Sequence, residues 1–397
     1  MNAIRLVADN VISDSDFESL CSWLGTKPRL SQGVLVKEFE AEFAAWLGVK
    51  HAVFCNSGSS ANLLAYAALI ETGRVDRDKD SVYAPAVAWP TTIAPALQYG
   101  LRIALGDAET DTWGLSTVDL EERLTRGPTA RPRIVTVVDV LGVPADRDRL
   151  MTLQNKYGFY IIEDCCGAHG ATFRKQKVGT FGDLSAFSFY IGHHITSGEG
   201  GMICTNDDSL DRTLRQLRAH GWAIDLSTSA QKALAAGDRV DPFRERFTFR
   251  LPGYNLRSTE FAAKLGRLQL PRLDAACTAR LANYQHYVRR LDAAKFQFPY
   301  NPNGTPSPIG FAFLATSREH RDQISTRLTE ANVEHRPVGG GNMARQPFLA
   351  RYPRLVASPA RGSFADKIHD CAIQVPVHPG LSEADIDRVC AAVKGDA

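Results

Sequence analysis

The chain has 397 residues, 44% hydrophobic and 23% charged, with a formal net charge of +2. The length suits two or three lobes, or one large domain with an appendage, the composition is ordinary for a globular protein, and the near-neutral balance argues against nucleic acid or an acidic membrane surface as partner. Its eight cysteines include adjacent Cys165 and Cys166 but no C-x-x-C pair, which excludes a disulfide scaffold and the common zinc-ribbon and thioredoxin spacings.

The first stretch, "MNAIRLVADNVISDSDFESL", lacks an unbroken apolar core, and no run reaches the length of a membrane span. The expectation is a cytoplasmic protein with reduced thiols and no membrane partner. From Val34 onward, Val36, Phe39, Phe43, Trp46 and Leu47 recur at helical spacing, which predicts an amphipathic helix. "HAVFC" (His51 to Cys55) then reads as a short buried strand, and "NSGSSANLLAYAALI" as a polar turn feeding a helix. Further strands are expected at "SVYAPAV", "LRIALGDA", "RIVTVVDVLG", "FYIIEDCC", "LSAFSFY" and "GGMICT", with helical patterns such as "LMTLQNKYG" between several of them. Apolar strands alternating with helices predict an α/β fold with a mostly parallel sheet covered on both faces. Ligands of such sheets bind beyond the carboxyl ends of the strands.

After Asn206 the pattern changes. Residues 207–219 read as helix, 220–250 as a charged loop region, and Ser258 to Ala294 as one long helical stretch. "GFAFLAT", "REHRDQISTRLTEAN" and a final helix from Ser382 suggest a smaller α+β lobe. The expected division is a large domain over 1–265 and a linking helix with a small domain over 266–397.

Several stretches carry chemistry. "NSGSSAN" (Asn56 to Asn62) joins a strand to a helix N-terminus, where free N–H groups and the helix dipole favour a phosphate. Gly58 permits close backbone approach and Ser59 adds a hydroxyl, although an ordinary capping turn has the same composition. Asp164 ends an apolar strand, where a carboxylate can face a ligand's ring nitrogen or merely cap a helix. Glu163 points the other way by strand alternation. Trp89 follows a strand and suits either stacking on a flat cofactor or core filling. Asn255 and Arg257 stand just before a helix, and "EHRPVGGGNMARQP" (Glu334 to Pro347) is a basic, glycine-rich loop. There Arg336 and Arg345 have the fork geometry that clamps phosphates, or they belong to a solvated loop. "SFYIGHHITSGEGG" (Ser188 to Gly201) places His193 and His194 before a glycine-rich turn.

Taken together, "SGSSA", "AWPTT", "EDCCGAHGATF", "GTFGDLSAFSFY", "GEGGMICTND", "LRAHGW" and "PGYNLRSTEFAAKLGRLQL" resemble the DegT/DnrJ/EryC1/StrS sugar aminotransferase family of fold-type I pyridoxal phosphate enzymes. The resemblance runs over nearly the whole chain. It implies an aspartate aminotransferase-like large domain with a smaller α+β domain, and a homodimer whose sites are completed across the interface. In that family the pattern "SFxxxKxxxxGEGG" supplies a lysine that holds the cofactor covalently. Here that position is His193, and a histidine forms no lasting Schiff base. The departure resembles the nucleotide-sugar 3-dehydratase subgroup, with its "SFYPAHHIT" motif and pyridoxamine phosphate. One class of that subgroup acts on GDP-4-keto-6-deoxy-D-mannose. A CDP-linked class carries an iron–sulfur cluster on a C-x-C-x₇-C arrangement. In this chain Cys204 is followed only by Cys277, Cys371 and Cys390, so no cluster is expected.

The resemblance implies non-covalent pyridoxamine or pyridoxal phosphate, Gly58, Ser59 and Ser188 around its phosphate, Trp89 on its ring, and Asp164 at its ring nitrogen. Asn255 would reach in from the second subunit, near Phe243, Phe247 and Phe249. His193 would be the acid/base catalyst, since imidazole can take or give a proton near neutral pH. His194, Glu334, Arg336 and Arg345 are the candidate substrate contacts, with a nucleotide sugar as substrate, glutamate as amino donor and no metal. Two other readings stay open: a sugar 4-aminotransferase with a non-lysine anchor, and a non-catalytic sugar-nucleotide binder.

Overall fold

The computed structural model describes residues 2–8, 10–127, 131–238, 240–241, 243–358 and 362–396. Helices α1 (Asp14–Gly25) and α2 (Val34–Leu47) lead into strand β1 (His51–Cys55) and helix α3 (Gly58–Glu71). Strands and helices then alternate through β2 (Ser81–Pro85), α4 (Pro90–Gln98), β3 (Arg102–Gly106), α5 (Thr117–Thr125), β4 (Ile134–Val138), α6 (Arg147–Tyr157) and β5 (Tyr160–Asp164). Two short strands, β6 (Thr172–Phe173) and β7 (Gln176–Lys177), precede β8 (Leu184–Ser188), β9 (Gly201–Thr205) and α7 (Asp208–Arg218). The remainder comprises α8 (Thr228–Asp238), α9 (Glu260–Gln269), α10 (Leu273–Arg290), β10 (Gly304–Thr305), β11 (Phe311–Leu314) and α11 (Arg318–Glu330). It closes with β12 (Val356–Ala357), α12 (Phe364–Cys371), β13 (Ala372–Val375) and α13 (Glu383–Lys394).

The main sheet runs β1-β9-β8-β5-β4-β2-β3-β12 among the described residues. Its pairings are parallel from β8 through β12, while β9 lies antiparallel between β1 and β8. The parallel strands read as apolar runs because helices cover both faces. One face packs Val53, Val82, Ile134 and Ile162 against α3 and α4, and the other packs Val135, Val137 and Ile161 against α5 and α6. Helix α3 shows no apolar stripe because it is buried on nearly every side. Helix α2 is amphipathic, as its spacing predicts, and its Val36, Phe39 and Phe43 share a core with Phe187 and Phe189. The Glu260 carboxylate accepts from the N–H groups of Gly33, Leu35 and Val36, at 2.9–3.0 Å, which satisfies free donors at the start of α2 and docks α9 on it.

Two expectations about chain order are corrected. The stretch from Ser258 to Ala294 is not one helix. It breaks at the 3₁₀ turn Leu270–Arg272, because Pro271 has no N–H to continue the ladder. The segment 220–250 (239 and 242 lie outside the described residues) contains α8, none of whose residues is buried. A helix with no buried face leaves no apolar period to read.

A separate apolar cluster joins Tyr287, Phe311, Phe313, Ile324, Val375, Ile386 and Val389 with Ile4 from the start of the chain. The antiparallel pair β11–β13 forms its sheet.

Candidate active site

The antiparallel placement of β9 brings two strand ends together. Cys55 at the end of β1 and Ser188 at the end of β8 both pair with Gly201. The turn from Ser57 into α3 therefore lies against the end of β8. A Cβ on Gly201 would sit 2.1 Å from the Ser57 carbonyl oxygen, and one on Gly58 would sit 2.5 Å from Ser188 Cβ and 2.9 Å from Cys166 Sγ. Only glycine allows this approach. Ser57 caps the helix through Ser60, leaving exposed Ser59 with a free hydroxyl at the helix N-terminus. This is the chemistry of an anion cradle.

Asp164 ends β5 and is 6% exposed. Its Oδ2 accepts from Thr92 Oγ1 at 2.7 Å and from Asn62 Nδ2 at 3.0 Å, and its Oδ1 accepts from the Cys166 N–H at 3.2 Å. A carboxylate has about four acceptor positions, so Oδ1 keeps one for a cationic N–H. Asn62 lies one turn beyond Gly58 on α3, and Thr92 lies one turn beyond Trp89 on α4. The anion cradle, Asp164 and Trp89 are thereby held as one unit. Trp89 is 57% exposed and is the N-cap of α4, with Pro90 at its first position; its ring is open for stacking rather than committed to the core. Glu163 points to the opposite face. There it receives Arg147 at 2.9 Å and the N–H groups of Gly179, Phe181 and Gly182. Asp139, Glu163 and Cys165 cluster closely enough to suggest a metal ligand set, but Arg147 already bridges Asp139 and Glu163 and supplies the positive charge.

Residues 189–200 connect β8 to β9, and Phe189 and Gly200 pair at its base. His193 stands in this loop, half-buried, with its backbone N–H on the Tyr190 carbonyl. Its Nδ1 is buried without a hydrogen-bond partner. Burial first, and then the charges of Arg280 and Arg336, push its imidazole down to about 4, so it is neutral near pH 7. His194 is 5% exposed and bonds the Ser307 carbonyl and hydroxyl, at 3.0 and 2.9 Å. It faces the protein interior and anchors the loop there; the sequence offers it as a candidate substrate contact. His169, fully buried, lies with ring centroids 6.3 Å from His193 and 5.2 Å from His194.

The remaining sequence candidates separate. Asn255 is exposed beside Arg257, whose Nε donates to its Oδ1 at 3.1 Å. Arg336 is held by Gln374 through Nε at 3.1 Å and is one of the charges felt by His193. Glu334 Oε2 accepts from the Leu6 N–H at 2.9 Å. Arg345 pairs with Asp370 at 2.7 Å and is turned towards α12, away from the role of phosphate clamp; two acids on that helix, Asp366 and Asp370, draw it there. Sequence reasoning missed Asn62, Thr92, Cys166, His169 and Arg280. Helical spacing from Gly58 and Trp89 is the signal that finds the first two.

Burial also holds His169 and His194 well below the ordinary imidazole value of 6.5. An unfolded chain protonates these groups as pH falls below that value, whereas the folded chain does not. The fold is therefore at full strength above about pH 6.5 and loses about 1.4 kcal/mol per pH unit for each such histidine as pH falls towards its folded value. Urea midpoints between pH 7.5 and 5 are expected to drop accordingly, and His169→Phe should flatten that dependence. An unchanged slope would show that His169 does not stay neutral in the fold.

Residues 12–394 match the profile of the DegT/DnrJ/EryC1/StrS aminotransferase family. The chain is 33% identical over 349 residues to the GDP-4-keto-6-deoxy-D-mannose 3-dehydratase of Escherichia coli O55:H7 (strain CB9615 / EPEC), covering 87% of this chain and 88% of that one. It is also 33% identical over 374 residues to the dTDP-4-dehydro-2,6-dideoxy-D-glucose 3-dehydratase of Saccharopolyspora spinosa, covering 91% and 80%. The solved structure of GDP-4-keto-6-deoxymannose-3-dehydratase with a trapped PLP-glutamate geminal diamine superposes with a TM-score of 0.88 at 29% identity, over 98% of this chain and 100% of that chain. Among the described residues no helix is long and apolar enough to cross a membrane.

Proposed function

The chain belongs to the DegT/DnrJ/EryC1/StrS aminotransferase family, and from that membership we propose that it is a nucleotide-sugar 3-dehydratase dependent on pyridoxamine and pyridoxal phosphate. Its substrate is a 4-keto-6-deoxyhexose, and the relatives support GDP-4-keto-6-deoxy-D-mannose. The observation that carries the reading is the neutral His193 in the position where aminotransferases of the family carry a lysine.

The residues present fit the cofactor. The close-packed Gly58 turn with Ser59 and Ser188 suits its phosphate, exposed Trp89 suits its ring, and Asp164 keeps one acceptor position for its ring nitrogen. When bound, pyridoxamine phosphate supplies an amine for the sugar's C4 ketone and a ring that accepts electrons while the C3 hydroxyl leaves. Asp164 keeps the ring nitrogen protonated, and Thr92 and Asn62 hold Asp164 in place. His193, uncharged at neutral pH, would serve as the base toward the methylene carbon of the bound cofactor. The imidazolium so formed then donates a proton to the departing hydroxyl. Because Nδ1 is the buried nitrogen, Nε2 performs both transfers. A lysine at this position would capture the oxidised cofactor and favour a complete transamination. Arg336 faces the anionic part of the substrate, with Glu334 beside it. The net exchange removes one oxygen atom from the sugar and releases one ammonia, and glutamate restores the amine for the next turnover.

The active form is a homodimer. Its support is an exposed aromatic surface of Phe243, Phe247 and Phe249, 87%, 63% and 54% exposed, with Phe249 stacked on Trp222 at 5.5 Å. Exposed Asn255 lies within the same part of the chain and completes the partner's site. The cysteine spacing supports no iron–sulfur cluster, and the proposed location is cytoplasmic.

The test is incubation with GDP-, CDP- and dTDP-linked 4-keto-6-deoxyhexoses plus glutamate. The expected product is a 4-keto sugar lacking the C3 oxygen, formed fastest from the GDP-linked substrate and accompanied by ammonia. An amino sugar retaining its C3 hydroxyl would establish the aminotransferase instead, and absence of turnover on all three would favour a binding protein.

A further inference from the structure

Most buried arginines of this fold have acidic partners. Arg147 meets Asp139 and Glu163, and Arg218 meets Glu40 and Asp225. Among the described residues Arg280, on α10, is the exception. It is 6% exposed, its Nε has no hydrogen-bond partner, and among the described residues no carboxylate pairs with it. Its Nη1 donates to the Pro308 carbonyl and its Nη2 to the His193 carbonyl, both at 3.3 Å. A buried cation without a counter-charge costs stability, and departures from good burial concentrate at functional sites.

We propose that Arg280 is the positioning residue for His193, pinning the loop that carries it by its carbonyl and placing an unpaired positive charge behind its ring. The inference rests on the dehydratase reading of His193. The 189–200 loop contains no helix or strand; besides its own turn bonds it is held from outside, by Arg280 at the His193 carbonyl, by Ser307 at the His194 ring and by Gln269 at both backbone groups of Thr196. The groups facing His193 are Arg280 from α10, Arg336 from beside β13, His169 from beyond β5, and Tyr190 and His194 from its own loop. None of them is a carboxylate. Both fixed charges disfavour the imidazolium and keep the ring a base. Burial also pushes the Arg280 guanidinium down to about 10, still cationic at neutral pH.

The test compares Arg280→Met, Arg280→Gln and Arg280→Lys. Two readouts are followed: NMR titration of the His193 imidazole in the cofactor-loaded protein, and the acid limb of kcat/KM for dehydration. The two charge-removing variants are expected to raise the titration and shift the limb upwards by about one pH unit, and to lower kcat at least tenfold. Arg280→Lys should keep the low titration while losing part of kcat. A merely structural arginine would lower kcat without moving the limb, so an unmoved titration in either charge-removing variant that folds would overturn the proposal. Should neither fold, a raised titration in Arg280→Lys would overturn it and a retained low one would support it. Full dehydration by a His193→Asn protein would instead refute the role of His193, which the NMR titration does not depend on.

Discussion

Replacing His193 by asparagine is expected to lower dehydration by at least about a thousandfold, within the range of positioned acid–base catalysis, while leaving cofactor affinity within a few-fold. Asparagine fills similar space in the half-buried loop but can neither take nor give the proton. The backbone bonds to Tyr190 and Arg280 do not involve the side chain, so the loop stays in place. A stopped reaction with intact cofactor binding separates a chemical role from a scaffolding one. Lost binding with retained turnover would contradict the assignment. The wild-type acid limb belongs to the same prediction. A neutral His193 is needed, so activity holds above its folded value and is lost as pH falls through about 4.

The second large effect is expected at Asp164. Asp164→Asn removes the charge that keeps the ring nitrogen protonated and the charge-assisted bond to it. Such bonds contribute about 1.5–3 kcal/mol, which places the loss of dehydration at about a hundredfold. Thr92→Val keeps the carboxylate but removes the 2.7 Å hydroxyl that orients it. Its cost is expected to be about tenfold, the lower end for a hydrogen bond to a charged group. Dehydration rates of the two variants, with pyridoxal phosphate titrations read by visible absorbance to confirm that each is loaded, check the order. Equal losses in both variants would mean that Asp164 acts through packing rather than charge.

The sequence made β2, β3, β4, β5 and β8 readable because each is a short, mostly apolar run, whereas the parallel strand β12, only two residues long, carries no pattern to read. Asp164 was visible for the same reason, as the acid that closes "YIIED". His193 was legible only as a departure from a family motif, since two adjacent histidines by themselves suggest a metal or proton site equally well. Other features had no local signal. Arg280 sits on a helix where an arginine normally meets solvent, and nothing in its neighbours announces that α10 turns it inwards. Arg345 and Arg336 share one basic loop, yet Asp366 and Asp370 draw the first to α12 while Gln374 holds the second near His193. Proximity in sequence could not separate them, because their partners come from residues further along the chain.

The central claim is that a histidine in place of the lysine changes the reaction while keeping the cofactor. The direct measurement is a single turnover of the pyridoxamine phosphate-loaded protein with GDP-4-keto-6-deoxy-D-mannose and no amino donor. The account predicts one ammonia and one sugar nucleotide lacking the C3 oxygen per cofactor consumed. A sugar nucleotide that carries the cofactor's nitrogen and keeps its C3 hydroxyl would contradict it.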